Sequence, residues 1–247
     1  MKGSGRSVFG SRGKTEYYSQ LPTGECCEPI YRISHNVYPL AKRERGLEEP
    51  LNPSNHKFDP SKAAHLKAPE RQGFLPDERV LELLELSGDE VVVDYGAGNG
   101  VLTVPLVREL QRGTVHAVEE NPEMFERLRR TVAEAGLAPP EGVELHEIRE
   151  NRIPLRDSLA DRVLAVNLLH EVVGERALQE MSRLLRPGGW LLVVDWRGDV
   201  ERPKGPPTEV SLTPAAAEEF LAGAGFEVRS IEESAFPYHF VLRADPR

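Results

Sequence analysis

The sequence predicts an α/β fold, a mostly parallel sheet with helices on both faces, and three observations carry that reading. The continuous apolar run "VVVDY" at 91–95 suits a strand buried on both sides rather than one that alternates between core and solvent. Strand-like and helix-like segments then alternate, as they do when crossover helices join parallel strands. The chain closes on two strand-like runs, "FEVRSIEES" and "FPYHFVLRA", with too few residues between them for a crossover. Those two must be antiparallel neighbours or nearly so.

Residues 1–55 hold Gly, Ser, Pro and scattered charges without an apolar repeat at period 2 or 3.6, and read as a disordered or loosely docked extension. Residues 56–88 read as a helical lid or cap. A short helix and a turn lead to an amphipathic helix with Pro76 in its first turn and Val80, Leu81, Leu83 and Leu84 on its apolar stripe. Residues 89–247 form the main domain. After the first strand come a helix over 99–111, a strand at 114–119, a helix at 122–135 and strands near 143–148 and 161–167. A helix at 174–185, a strand at 190–196 and a helix at 214–223 precede the final pair. Arg186, Pro187, Gly188 and Gly189 have the chemistry of a helix stop before the strand that Trp190 and Trp196 flank.

The chemistry concentrates in "VVVDYGAGNG", where Asp94 ends the buried strand and Gly96, Gly98 and Gly100 follow at alternating positions. Glycines let the backbone turn tightly and approach a ligand closely, and N–H groups at the start of the next helix would face it. A dinucleotide fingerprint needs glycine at position 101, where this chain has Val101. An acid directly before such a loop suits the cationic amine of an amino acid better than a pyrophosphate. Nineteen residues beyond Gly100, Glu119 ends the second strand, where a carboxylate can accept hydrogen bonds from both hydroxyls of a ribose. The pattern therefore asks for a nucleoside that carries an amino acid.

Composition narrows the partners. A formal net charge of −9 repels phosphate backbones and anionic membrane surfaces on average, so a nucleic-acid partner is not expected. No apolar run approaches the ~18–20 residues of a membrane span, and the N-terminus lacks a secretory apolar stretch. Cys26 and Cys27 are adjacent, match no zinc-knuckle or disulfide spacing, and fit a reducing cytoplasmic setting. No metal site is assigned.

"VVVDYGAGNG", "VHAVEENPEM" and "LADRVLAVNLLHEV" resemble successive motifs of class I S-adenosylmethionine-dependent methyltransferases over residues 56–247. The runs "FDPSKAAHLKAPER" and "RIPLRDSLADRVLAVNLLHEV" look most like the small-molecule group related to ubiquinone and menaquinone C-methyltransferases. The resemblance implies a Rossmann-like three-layer sandwich with a seven-stranded sheet whose last strand is antiparallel, S-adenosylmethionine as cofactor and a small-molecule methyl acceptor. It places Asp94, Tyr95, Gly96, Gly98 and Gly100 in the cofactor loop, Glu119 and Glu120 at the ribose, and Asn167 with Leu168 in the wall after the fourth strand. Many relatives carry an acid for the adenine amino group where this chain has Arg149; Glu150, shifted by one residue, or the backbone around Asn151 would take its place. That departure also leaves open a non-catalytic cofactor-binding or regulatory protein of the same fold.

Methyl transfer from a sulfonium is an in-line displacement in which positioning supplies much of the acceleration. Where the acceptor must lose a proton, His170 and Glu171 are the candidate bases, the alternative being a structural His170 with Glu171 capping or facing solvent. Asp195, at the end of the fifth strand, either touches the acceptor or is solvated. His56, Phe58, Asp59, His65 and Arg71 lie on the lid segment and form the candidate set for acceptor selectivity.

Overall fold

The computed structural model describes residues 57–137, 142–148, 152–172 and 174–247. The expected extension at 1–55 lies outside the described residues, as does the cysteine pair. One sheet holds β1 (Val91–Tyr95), β2 (Thr114–Glu119), β3 (Val143–Glu147), β4 (Ala160–Val166), β5 (Leu185–Trp196), β6 (Phe226–Glu232) and β7 (His239–Pro246). Their order is β3-β2-β1-β4-β5-β7-β6. The four pairings among β1 to β5 are parallel, and β7 runs antiparallel to both β5 and β6. The expected seven-stranded, mostly parallel sheet with an antiparallel last strand is what forms.

Helices cover both faces and make two cores. On one side α2 (Thr103–Glu109) and α3 (Pro122–Glu134) bury Leu106, Leu128 and Val132 with Leu84, which follows α1 (Asp77–Glu82), against Val92, Val115 and Leu164. On the other, α4 (Arg176–Leu184) and α5 (Pro214–Gly223) bury Leu178, Met181, Ala217 and Leu221 against Val93, Val163 and Leu191. Alternate residues of each central strand thus enter opposite cores, which is why those strands read as unbroken apolar runs. The helix starts are coded locally: Asn121 accepts from the Glu123 and Met124 N–H groups ahead of Pro122, and Thr213 from Ala216 N–H ahead of Pro214. Among the described residues, no helix is long and apolar enough to cross a membrane.

Three boundaries depart from expectation. The helix after β1 starts at Thr103, because Gly96, Gly98 and Gly100 all adopt positive φ and the loop keeps turning until Leu102. The lid segment forms 3-10 turns at Pro60–Lys67 and Pro69–Gly73 rather than a helix of the α type, and Pro76 caps α1 from outside its first turn. The Arg-Pro-Gly-Gly run lies within the span of β5, where the register with β4 shifts, rather than in a separate turn. A Cβ on Gly189 would sit 2.7 Å from the Ala160 carbonyl oxygen, so the strands approach there only without a side chain.

The sheet order reverses between β1 and β4, whose following loops lead in opposite directions. In open α/β sheets a crevice forms outside the carboxyl ends of the strands at such a point. Residues 94–100, 119–120 and 167–171 all lie there.

Candidate functional site

At the end of β1, Asp94 is 4% exposed and accepts a 2.6 Å hydrogen bond from the Thr103 hydroxyl. Burial pushes its pKa up to about 6; the Thr103 bond opposes the shift and the charge of Glu119 adds to it. Glu119 is also buried, with one carboxylate oxygen accepting from Gly98 N–H and the other from Asn121 N–H, both at 2.8 Å. Its pKa is likewise raised by burial, against those backbone bonds. Two acids thus flank the glycine turn with no basic side chain paired to either among the described residues.

The N–H groups of the glycine loop itself are taken up within the protein. Those of Gly96 and Ala97 donate to the Val118 carbonyl, that of Gly98 to Glu119 and that of Gly100 to the Ala97 carbonyl. The turn is tied back onto β2, so these groups brace the loop. Gly96 is needed for space as well as for its φ of 77°: a Cβ there would lie 2.9 Å from the Leu168 side chain. Asn167 has φ 53°, a conformation that asparagine tolerates better than most residues, and its buried Oδ1 has no hydrogen-bond partner.

The lid segment crosses this loop. Asn99 donates to the Ala63 carbonyl, Leu66 stands over Gly98, Lys57 pairs with Glu120 at 2.5 Å, and Phe58 N–H donates to Glu171. Between the segment and the strand ends lies a cavity of about 150 Å³ lined by Tyr95, Glu120, Leu168 and Glu171 together with Ile148, Val172 and Arg176. The last three were not singled out from the sequence. Ile148 directly follows β3 and Arg176 begins α4, so both sit at the carboxyl edge of the sheet, a position fixed by topology rather than by residue type.

Of the two candidate bases, Glu171 lines the cavity and His170 does not. His170 is 3% exposed; its Nδ1 lies 2.7 Å from an Asp195 oxygen and its Nε2 3.7 Å from Glu171. Burial alone would lower the His170 pKa, but the charge and hydrogen bond of Asp195 outweigh it and the net shift is upward. Asp195 is lowered although burial opposes this, because His170 and the N–H groups of Trp196 and His170 all favour its charge. Burial raises Glu171. The result is a buried line of three groups, Asp195, His170 and Glu171, whose last member reaches the cavity.

Of the lid candidates, Phe58 meets the site through its backbone, Asp59 caps the first 3-10 turn, and His65 is exposed. Arg71 is buried in an ion pair with Asp77. His56, Glu150, Asn151 and Arg149 lie outside the described residues. Beyond β5 the surroundings are aromatic: His239 is fully buried between Phe74 and Trp196, with ring centroids 6.1 and 4.0 Å away. A second cavity of about 290 Å³ adjoins them, lined by Phe74, Trp196, Tyr238 and Lys204.

A glycine turn between two buried acids, at the switch point of a seven-stranded sheet with its last strand reversed, defines a protein of the class I methyltransferase type. A family model described as "Methyltransferase domain" matches residues 92–189. The solved structure of a SAM-dependent methyltransferase from Aquifex aeolicus is 32% identical, covers 76% of this chain and 98% of its own, and superposes with a TM-score of 0.70. The chain belongs to the S-adenosylmethionine-dependent methyltransferase family, whose cofactor is S-adenosylmethionine. An uncharacterised methyltransferase of Mycobacterium tuberculosis is 42% identical over 112 residues, 45% of this chain and 41% of that protein. A dimethylglycine N-methyltransferase of Parasynechococcus marenigrum is 35% identical over 105 residues, 42% of this chain and 36% of that protein. The chain thus spans less than half the length of these two relatives.

Proposed function

We propose that this protein transfers a methyl group from S-adenosylmethionine to a small-molecule acceptor. The observation that carries the reading is the pair of buried, uncompensated carboxylates at Asp94 and Glu119. A buried charge without a partner is costly, and a cation bound beside Asp94 would relieve that cost. Asp94 would hold the amine of the cofactor's amino-acid end. Each Glu119 oxygen keeps a lone pair beyond its backbone bond, enough for two ribose hydroxyls. Asn167 Oδ1 offers a further buried acceptor, and Tyr95, Ile148 and Leu168 supply apolar wall. The residues present fit the cofactor, which when bound supplies a methyl group already activated on a sulfonium.

This chain's own residues then bind, orient and handle a proton. Glu171, at the cavity and made more basic by burial, accepts the acceptor's proton where one must leave. His170, held by Asp195, positions the Glu171 carboxylate from behind together with the Phe58 N–H. The cavity of about 290 Å³ is close to the size of a small-molecule site, and the negative net charge disfavours a nucleic acid. The relative that acts on dimethylglycine agrees with that class. Within it, the lid run "FDPSKAAHLKAPER" supports the group related to ubiquinone and menaquinone C-methyltransferases.

The test is calorimetric titration of S-adenosylmethionine into the folded protein, followed by S-adenosylhomocysteine release against a panel of small quinols, phenols and amines. Micromolar binding with release on at least one acceptor, reduced in Glu171→Gln, is expected. Binding without turnover on any acceptor would move the protein to the non-catalytic reading, and no binding at millimolar cofactor would end both.

A further inference from the structure

Away from the cofactor loop, on the face of the sheet that packs against α4 and α5, one row of paired residues runs Leu191, Val163, Val93, His116, Glu144. The first three are core side chains; the row turns polar at β2 and β3. The next position along the same face of β3 is His146, opposite Val118. The row therefore ends in two histidines and a carboxylate on the two outermost strands of that edge.

Their donor atoms converge. His116 Nδ1 and His146 Nε2 are 3.1 Å apart, and Glu144 Oε2 is 3.7 Å from each. A hydrogen bond between the rings accounts for the first distance and leaves the carboxylate oxygen beyond hydrogen-bond reach of both nitrogens. Coordination accounts for all three: a point equidistant from the atoms lies about 2.0 Å from each, the bond length of zinc to imidazole nitrogen or carboxylate oxygen. We infer that His116, Glu144 and His146 form a binding site for one divalent transition-metal ion, with zinc the best match. The site is independent of the proposed methyl transfer.

Two further features agree. The two rings are mostly buried, so their nitrogens have little bulk water to bond in place of an ion. The Glu144 side chain is 42% exposed, so an ion can enter from solvent and a water can complete the coordination. Among the described residues this is the one cluster of three or more such side chains with the spacing for an ion. Two His and one carboxylate favour zinc or a neighbouring first-row ion over magnesium or calcium, which prefer all-oxygen sites. The ion would tie edge strand β3 to β2, three residues before Glu119 and two before the cavity residue Ile148.

The full-length protein is stripped with a chelator, dialysed and titrated with Zn²⁺ by calorimetry, with thermal unfolding and visible absorption after Co²⁺ loading as second readouts. One equivalent, a higher Tm and cobalt ligand-field bands of low coordination number are expected. Glu144→Gln and His146→Gln should each weaken binding by about tenfold or more. Glu144 is half-exposed, so its variant keeps the fold, as circular dichroism will verify. The inference is overturned if the folded protein takes up no stoichiometric metal, or if neither variant changes the affinity. It is equally overturned if the metal is lost in Cys26→Ser/Cys27→Ser and not in the β3 variants.

Discussion

The two halves of the crevice handle buried charge in opposite ways. On the side proposed for the cofactor, Asp94 and Glu119 are buried without a cation, and burial raises the pKa of each. On the side proposed for the acceptor, Asp195 is just as buried but meets His170 at 2.7 Å, and its pKa is lowered. Arg71 and Asp77 are matched in the same way nearby. The compensated half is finished within the protein; the uncompensated half is the one proposed to be completed by the cofactor. A buried charge left without its partner therefore marks a seat, whereas a buried charge with its partner marks a brace.

The sharpest way to break this comparison is to remove one charge from each half. His170→Ala leaves Asp195 charged and buried, and should cost about 3–5 kcal/mol of stability, measured by urea unfolding at pH 7. Because the His170 pKa is raised, its contribution is full below the unfolded value near 6.5 and is lost as pH rises through the folded one. The deficit of the variant should therefore narrow in alkaline buffer. A deficit under about 1 kcal/mol would show that the acceptor half is not braced by this pair.

Next in size, Glu119→Ala should weaken S-adenosylmethionine by about 1.5–3 kcal/mol, the worth of hydrogen bonds to a charged group, and calorimetry reads this directly. Unchanged affinity would remove Glu119 from the seat. Asp94→Asn should do something no brace does. It should raise the stability of the ligand-free protein by about 1–3 kcal/mol above pH 7 while lowering cofactor affinity. The folded state binds a proton up to about pH 6 and the unfolded chain only to about 3.8. The gain in stability is thus complete above pH 6 and gone near pH 4, while wild-type cofactor affinity falls as pH drops through about 6. A variant that is less stable than wild type at pH 8 would overturn the assignment of Asp94 as uncompensated.

Gly96→Ala sharpens the backbone side of the argument. Positive φ and the approach to Leu168 should cost about 1–2 kcal/mol in thermal unfolding and weaken cofactor binding in proportion. Smallest of all, Lys57→Ala removes a half-exposed pair with Glu120 and should change stability by less than about 1 kcal/mol. A larger loss would mean that the lid segment is held by that contact rather than by Ala63, Leu66 and Phe58.

Much of the fold, and the residues proposed for the cofactor, can be picked out in the sequence because both are local. The buried strand, the alternating glycines and the acids at the ends of β1 and β2 lie within 29 consecutive residues, 91–119, and their spacing carries their geometry. The antiparallel final strands were equally local. What the sequence could not settle was anything that required knowing which segments meet. It offered His170 and Glu171 as equals; tertiary structure put one behind the other, because β4 and β5 bring Asp195 to His170 and leave Glu171 at the cavity. It assigned ligand-facing N–H groups to the start of the next helix and gave no sign that the glycine loop's own N–H groups bond back to β2. His116, Glu144 and His146 are 30 residues apart at the extremes and ordinary one by one. Register between two parallel strands alone makes them neighbours, and no local propensity specifies that register.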